Sequence, residues 1–239
     1  MLSKSQIKLI ISLKQKKYRQ QHHLFVVEGI KTISELLRSS LELQTLYTTE
    51  SFNIDAKKEV LISDSELKRI SFLTTPNKAL AVFKIPQPKR IETEGLIVVL
   101  DAVRDPGNLG TIIRLCDWYG IKDLVCSKET VDCFNPKVIQ ATMGSITRVN
   151  INYLDLVPFL ETQKNALFGA FMEGENVYKS QLPEKGIIVM GNEANGISKD
   201  IEAIIHKKIS IPRFGDLKAT ESLNVATATA ILLSEFKRR

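Results

Sequence analysis

Two short, wholly apolar runs, Leu96–Leu100 (LIVVL) and Ile187–Met190 (IIVM), restrict the fold more than any other feature of this chain. A continuous apolar run without polar alternation is what a strand buried on both faces shows, and such strands sit in parallel sheets covered by helices. The intervening sequence supplies helical patterns at Leu109–Tyr119, near Pro136–Ala141, near Leu154–Thr162, after Ser198 and over Ser222–Phe236. Further strands are expected at Asp123–Cys126, Ala166–Phe171 and Lys208–Ile211. An α/β domain with a parallel sheet flanked by helices follows. Open sheets of this kind bind ligands beyond the carboxyl ends of their strands.

A smaller α/β unit is expected upstream. A helix near Ser3–Arg19 carries Ile7, Ile10, Ile11 and Leu13 on a rough helical period. Strands are expected at Leu24–Val27, near Leu43–Tyr47, near Val60–Ile62 and near Ala79–Phe83, with helices after Gly29 and after a Ser63/Asp64 cap. Lys84–Glu94 (KIPQPKRIETE) is rich in Pro and charge and reads as a linker. The expected division is residues 1–85, a linker over 86–95, and residues 96–239.

Charge follows the same division. Residues 1–95 carry 16 Lys/Arg against 10 Asp/Glu, whereas residues 96–239 carry 17 of each. The first twenty residues hold six basic side chains and no acid. A basic lobe on a neutral body suits a polyanion held at one end; a solvated basic helix is the bland alternative. Lys14, Lys16, Lys17, Arg19 and Lys31 are the candidate contacts. No apolar run approaches the roughly 18 residues of a membrane span. The N-terminus lacks the form of a secretory signal, so a cytoplasmic protein without a membrane partner is expected. Cys116, Cys126 and Cys133 show no CxxC spacing, which points to reduced core thiols and no metal site. No GxGxxG follows the first strand, and neither a P-loop nor HExxH is present.

Three loops carry the candidate chemistry. Asp101–Arg114 (DAVRDPGNLGTIIR) has a Pro106-Gly107 turn, Asn108 where an N-cap is expected, and Arg114 six residues on. Gly191–Ser198 (GNEANGIS) places Glu193 between glycines that allow close backbone approach. Ile211–Phe236 ends a strand at Ile211-Pro212 and opens a small-residue helix, with a cap expected at Thr220 or Ser222. Each loop taken singly admits a plain structural reading: a capped helix with a surface Arg, a solvated turn, a capped helix.

Taken together, in this order and spacing, Asn108-LGTII-Arg114, Gly191-N-Glu193-A-N-Gly196, and Ile211-Pro212 followed by Ser222-L-Asn224 resemble the three motifs of the SpoU (TrmH-like) family of SPOUT methyltransferases. Leu13–Leu37 is similar to the substrate-binding domain that many members carry, a fold like small RNA-binding ribosomal proteins. The resemblance implies a C-terminal deep trefoil knot, a homodimer formed through the C-terminal domain, and S-adenosylmethionine as cofactor. It implies 2′-O-methylation of an RNA ribose, with large-subunit ribosomal RNA ahead of transfer RNA. A non-catalytic RNA-binding member and a base-methylating SPOUT enzyme are the rivals. By position, Asn108, Arg114, Glu193, Ser222 and Asn224 would form the active site. Phe171, Met190, Gly191, Asn192, Gly196, Ile211, Pro212, Ser222 and Leu223 would hold the cofactor, and the five basic residues above would bind RNA. Ala194-Asn195 replaces the more usual Gly-x of the second motif.

Overall fold

The structure, a computed structural model, describes residues 2–215 and 222–238. In chain order these form α1 (Lys4–Ser12), α2 (Lys16–His22), β1 (Leu24–Glu28), α3 (Ile30–Leu37), β2 (Leu43–Thr48), β3 (Glu59–Leu61), α4 (Asp64–Ile70), β4 (Ala79–Lys84), β5 (Leu96–Leu100) and α5 (Pro106–Trp118). There follow β6 (Asp123–Cys126), α6 (Pro136–Thr142), β7 (Asn150–Tyr153), α7 (Leu156–Glu161), β8 (Leu167–Asn176), β9 (Gly186–Met190), α8 (Lys199–Glu202), β10 (Lys207–Ser210) and α9 (Val225–Lys237). None of these helices is long and apolar enough to cross a membrane. The chain divides into two compact units, residues 1–87 with 132–147, and residues 88–131 with 148–239.

The first unit is built on a four-stranded sheet in the order β1-β4-β2-β3, antiparallel except for the β2–β3 pair. Leu2, Ile10, Leu13, Val26, Ile70 and Leu80 are among the residues of its core. Burying each such side chain contributes about 1.5–3 kcal/mol. Capping boxes at Ser3/Gln6 and Ser63/Glu66 start α1 and α4 by satisfying the first free amides of each helix.

The single helix expected over Ser3–Arg19 is broken into α1 and α2, and Arg19 supplies the reason. Its Nη1 donates to the carbonyls of Leu13 and Lys14, both at 2.9 Å, where α1 ends. Its Nε and Nη2 donate to the Asp132 carboxylate at 2.9 and 2.5 Å. Arg19 is 2% exposed. The expectation that it contacts a polyanion is therefore corrected: its donors are consumed inside the unit. Lys14, Lys16, Lys17 and Lys31 do stand exposed. Residues 132–147, expected with the second unit, pack in the first, where the Phe134 ring lies 4.8 Å from that of Phe25.

The second unit has a six-stranded, wholly parallel sheet in the order β10-β8-β9-β5-β6-β7. The two apolar runs lie side by side at its centre, Leu100 opposite Met190. Ile97, Val99, Ile187 and Val189 pack with Leu156 and Leu160 of α7 and Ile201 of α8. Phe168 meets Phe236 of α9 edge-on at 5.1 Å, and α9 also packs on α5. Since neighbouring strand residues face opposite ways, helices cover both faces of the sheet. The edge strand β7, whose residues NINY are half-buried and mixed in polarity, has no apolar run to announce it. All three cysteines are buried, and burial pushes the Cys116 thiol far above its ordinary range.

Candidate active site

The loops after β5 and β9 and the segment that leads into α9 meet through side-chain amides and one carboxylate. Asp105, not Asn108, caps α5: its carboxylate accepts the Asn108 N–H at 2.8 Å, with Pro106 in the first helical turn. That corrects the expected role of Asn108 and leaves its side chain available. Asn108 Nδ2 donates to Glu193 Oε1 at 3.1 Å, and Asn108 Oδ1 accepts from Asn224 Nδ2 at 2.8 Å. Asn224 in turn caps α9, its Oδ1 accepting the N–H groups of Ala226 (2.9 Å) and Thr227 (3.2 Å). The cap expected at Ser222 is thus two residues further on, and Thr220 lies outside the described residues. Three of the five expected active-site residues therefore form one chain of hydrogen bonds, Asn224–Asn108–Glu193.

Glu193 also accepts the N–H groups of Arg104 and Asp105, each at 3.3 Å. Partial burial works to raise its pKa, but the bonds from Asn108 and from the backbone amides of Glu193 itself, Arg104 and Asp105 outweigh it and hold the carboxyl below the ordinary carboxylate value. A depressed carboxyl stabilises the fold above its unfolded-state pKa, and that stabilisation is lost as pH falls through the folded-state value. Wild type should therefore melt at a higher temperature than Glu193→Gln at neutral pH. The gap should close as pH drops through the acid carboxylate range. A gap independent of pH would remove Glu193 from this role.

The loop after β9 is closed on itself. Asn192 and Gly196 exchange two backbone hydrogen bonds of 2.9 Å, and Gly196 has φ of +69°. Asn192 Oδ1 accepts the N–H groups of Ala194 and Asn195, while its Nδ2 donates to the Ala102 carbonyl at 2.6 Å. A Cβ on Gly191 would stand 2.2 Å from the Gly196 carbonyl carbon and 2.3 Å from the Ile197 nitrogen, so backbone would have to move. Gly191→Ala should open this loop at a cost of about 1–3 kcal/mol, read as a lowered Tm; an unchanged Tm would show the contact to be relieved cheaply. Ala194 is not among the residues with positive φ, so the departure at this position introduces no strain.

The remaining expected residues differ in position and exposure. Met190 is buried at the end of β9, and Ile211 and Pro212 are half-buried just after β10. Ser222 and Leu223 are exposed, Leu223 by 48%. Phe171 packs its ring against the α7/α8 side of the core, with the Lys208 ammonium 4.8 Å from the ring centre. Arg114 is exposed on α5, six residues beyond Asn108 and so about 9 Å further along the helix axis. It is not part of the hydrogen-bonded chain. Two contributors had escaped notice. The Asp105-Pro106 pair is a readable cap signature, whereas nothing local marks Asp101, whose carboxylate accepts the Ser198 N–H at 2.7 Å and ties the β5 and β9 loops together. Among the described residues, no group of His, Cys, Asp and Glu is arranged to hold a metal ion.

The chain has relatives among known proteins. Residues 95–234 match the SpoU rRNA Methylase family, and residues 4–81 match the MRM3-like substrate binding domain. The 23S rRNA (guanosine(2553)-2'-O)-methyltransferase RlmP of Bacillus subtilis is 29% identical over 228 residues, covering 91% of this chain and 90% of its own length. A solved TrmH-family structure from Porphyromonas gingivalis superposes with a TM-score of 0.91 at 39% identity, covering 100% of this chain and 99% of that one. The AdoMet-bound rRNA methyltransferase of Sinorhizobium meliloti does so with a TM-score of 0.87 at 27% identity, covering 100% and 97%.

Proposed function

Because the chain belongs to the SpoU rRNA methylase family, we propose that it is an S-adenosylmethionine-dependent methyltransferase acting on a ribose 2′-hydroxyl of RNA, with large-subunit ribosomal RNA as the substrate. The observation that carries this reading is the Asn224–Asn108–Glu193 junction, in which all three family motifs contribute to one site. The test is transfer of labelled methyl from S-adenosylmethionine to 23S rRNA, with the product resistant to alkaline cleavage at one nucleotide. Label that leaves the backbone cleavable there would mean base methylation.

The cofactor fits the residues present. The tight Gly191–Gly196 loop brings bare backbone to the end of β9, and Ile211 and Pro212 after β10 and Leu223 before α9 offer partly exposed apolar surface. These residues would hold S-adenosylmethionine, which when bound supplies an electrophilic methyl group. The protein's own task is to present the hydroxyl in line and ease loss of its proton. Asn108 and Glu193 fix the loops; Ser222 and Asn224 offer hydrogen bonds near the reacting groups. A guanidinium group in a protein keeps its proton, so a base is to be sought elsewhere than in an arginine. The guanidinium fork of Arg114 suits the phosphate next to the target ribose, where its charge stabilises the developing alkoxide. The proton passes to a phosphate oxygen or to water.

Arg114 stands outside the junction of its own chain, which favours a homodimer through the second unit in which this residue completes the partner's site. Trp118, one helical turn beyond Arg114 and 84% exposed, extends that face with apolar surface. The resemblance further implies that the C-terminal segment threads a loop to form a deep trefoil knot. The first unit would serve as the RNA substrate-binding domain, with Lys14, Lys16, Lys17 and Lys31 neutralising phosphates. Replacing Lys14, Lys16 and Lys17 by Gln should reduce the slope of log affinity against log salt by about 2–3. An unchanged slope would place the phosphate contacts elsewhere. This substitution is preferable to truncation, because removing residues 1–87 would strip residues 132–147 of the core they pack in.

A further inference from the structure

The first unit contains a cleft that none of the above uses. Its lining includes Glu28 at the end of β1, Phe72 and Leu73 after α4, and Pro136, Lys137 and Gln140 of α6. Glu28 accepts the Ser71 hydroxyl at 2.5 Å on one carboxylate oxygen and the Phe72 N–H at 2.8 Å on the other. Each oxygen thus keeps a lone pair for another donor. Among the described residues no cation forms an ion pair with Glu28, and burial raises its pKa. A carboxylate kept in a cleft at that disadvantage, with no ion pair of its own, is suited to a ligand that brings donors. Phe72 and Leu73 offer apolar walls, and Lys137 and Gln140 are exposed donors at the rim.

One nucleobase matches this set. Guanine carries two neighbouring donors, N1–H and N2–H, with the O6 acceptor beside them. Adenine and cytosine place an acceptor next to their single donor group, and uracil has one donor between two acceptors. Single-stranded RNA is read by stacking on aromatic side chains and by hydrogen bonds to such exposed base edges. We propose that this cleft reads an unpaired guanine of the RNA, with Glu28 taking N1–H and N2–H, Phe72 packing on the base, and Lys137 or Gln140 donating to O6. The inference rests on the reading of RNA as substrate.

The test uses the full chain and short oligouridylates carrying one central guanosine, inosine or adenosine, with binding followed by fluorescence anisotropy. Guanosine should bind about tenfold more tightly than adenosine, with inosine, which lacks the 2-amino group, in between. Glu28→Gln should erase that preference and leave affinity for plain oligouridylate unchanged. Because Glu28 also holds Ser71 and Phe72, the wild-type protein provides a second reading. Kethoxal attacks guanine at N1 and N2, so the bound guanine should be protected from it. Equal affinities for the three RNAs, a preference that survives Glu28→Gln, or an unprotected guanine would each overturn the proposal. RNA binding with a normal salt slope but no guanine preference removes the cleft alone, whereas no RNA binding at all removes the substrate reading with it.

Discussion

Arg114→Ala should abolish methyl transfer to RNA while leaving S-adenosylmethionine binding nearly intact. Arg114 takes no part in the Asn224–Asn108–Glu193 junction, so its removal leaves the hydrogen bonds between the three loops in place. In the proposed role, what is lost is a positive charge and a two-pronged donor at the phosphate beside the reacting oxygen. Removing one such preorganised donor costs about a hundredfold to a thousandfold in turnover, and a full charge lies at the upper end. Arg114→Lys keeps the charge and loses the planar fork, so it should recover only part of the rate. Methyl incorporation and calorimetry with the cofactor, measured on the same preparations, separate chemistry from binding. Near wild-type turnover in Arg114→Ala would sink the assignment. A parallel loss of cofactor affinity would turn it into a structural residue. In mixed dimers of Arg114→Ala and Glu193→Ala chains, one site regains both side chains if Arg114 acts across the interface. Recovery of activity on mixing is therefore the expected outcome.

Arg19→Ala should destabilise the first unit by about 3–5 kcal/mol, the usual cost of breaking a buried ion pair from one side. The side chains are 2% and 14% exposed, so solvent cannot take over the pairing of Asp132. The substitution also orphans the Leu13 and Lys14 carbonyls that the guanidinium satisfies between α1 and α2. At this chain length the loss corresponds to a Tm lower by roughly 10 °C. Asp132→Ala should cost a similar amount, and the double variant less than the sum, because neither charge is then left unpaired. Strict additivity would mean that the two side chains act independently. The same pair bears on RNA binding: Arg19→Ala should weaken it only through misfolding, whereas Lys14, Lys16 and Lys17 act directly through their charge.

The parallel sheet is legible in the sequence. Leu96–Leu100 and Ile187–Met190 have no polar alternation, and only a strand covered on both faces tolerates that. The motif residues were legible as a set, because Asn108, Glu193 and Asn224 occur at spacings that resemble one family. Their roles were not. Asn108 looked like a helix cap until Asp105 proved to hold that position, and Asn224 looked interior to a helix that in fact begins after it. Arg19 looked like one more cation in a basic stretch. Whether such a residue is exposed depends on Asp132, 113 positions away, and nothing in the local sequence announces that partner.

What the sequence determined by itself is therefore the local material: the apolar strands, the helical periods, the basic first lobe and the residue types of three loops. These depend on side-chain periodicity and composition within a few residues. Only the tertiary structure decided which of those residues meet. Placing β9 beside β5 brings Glu193 to Asn108 across 85 positions, and the return of α9 brings Asn224 to Asn108 across 116. Hydrogen bonds of about 3 Å demand that whole strands and helices be fixed against one another first. The site therefore depends on the packing of the core.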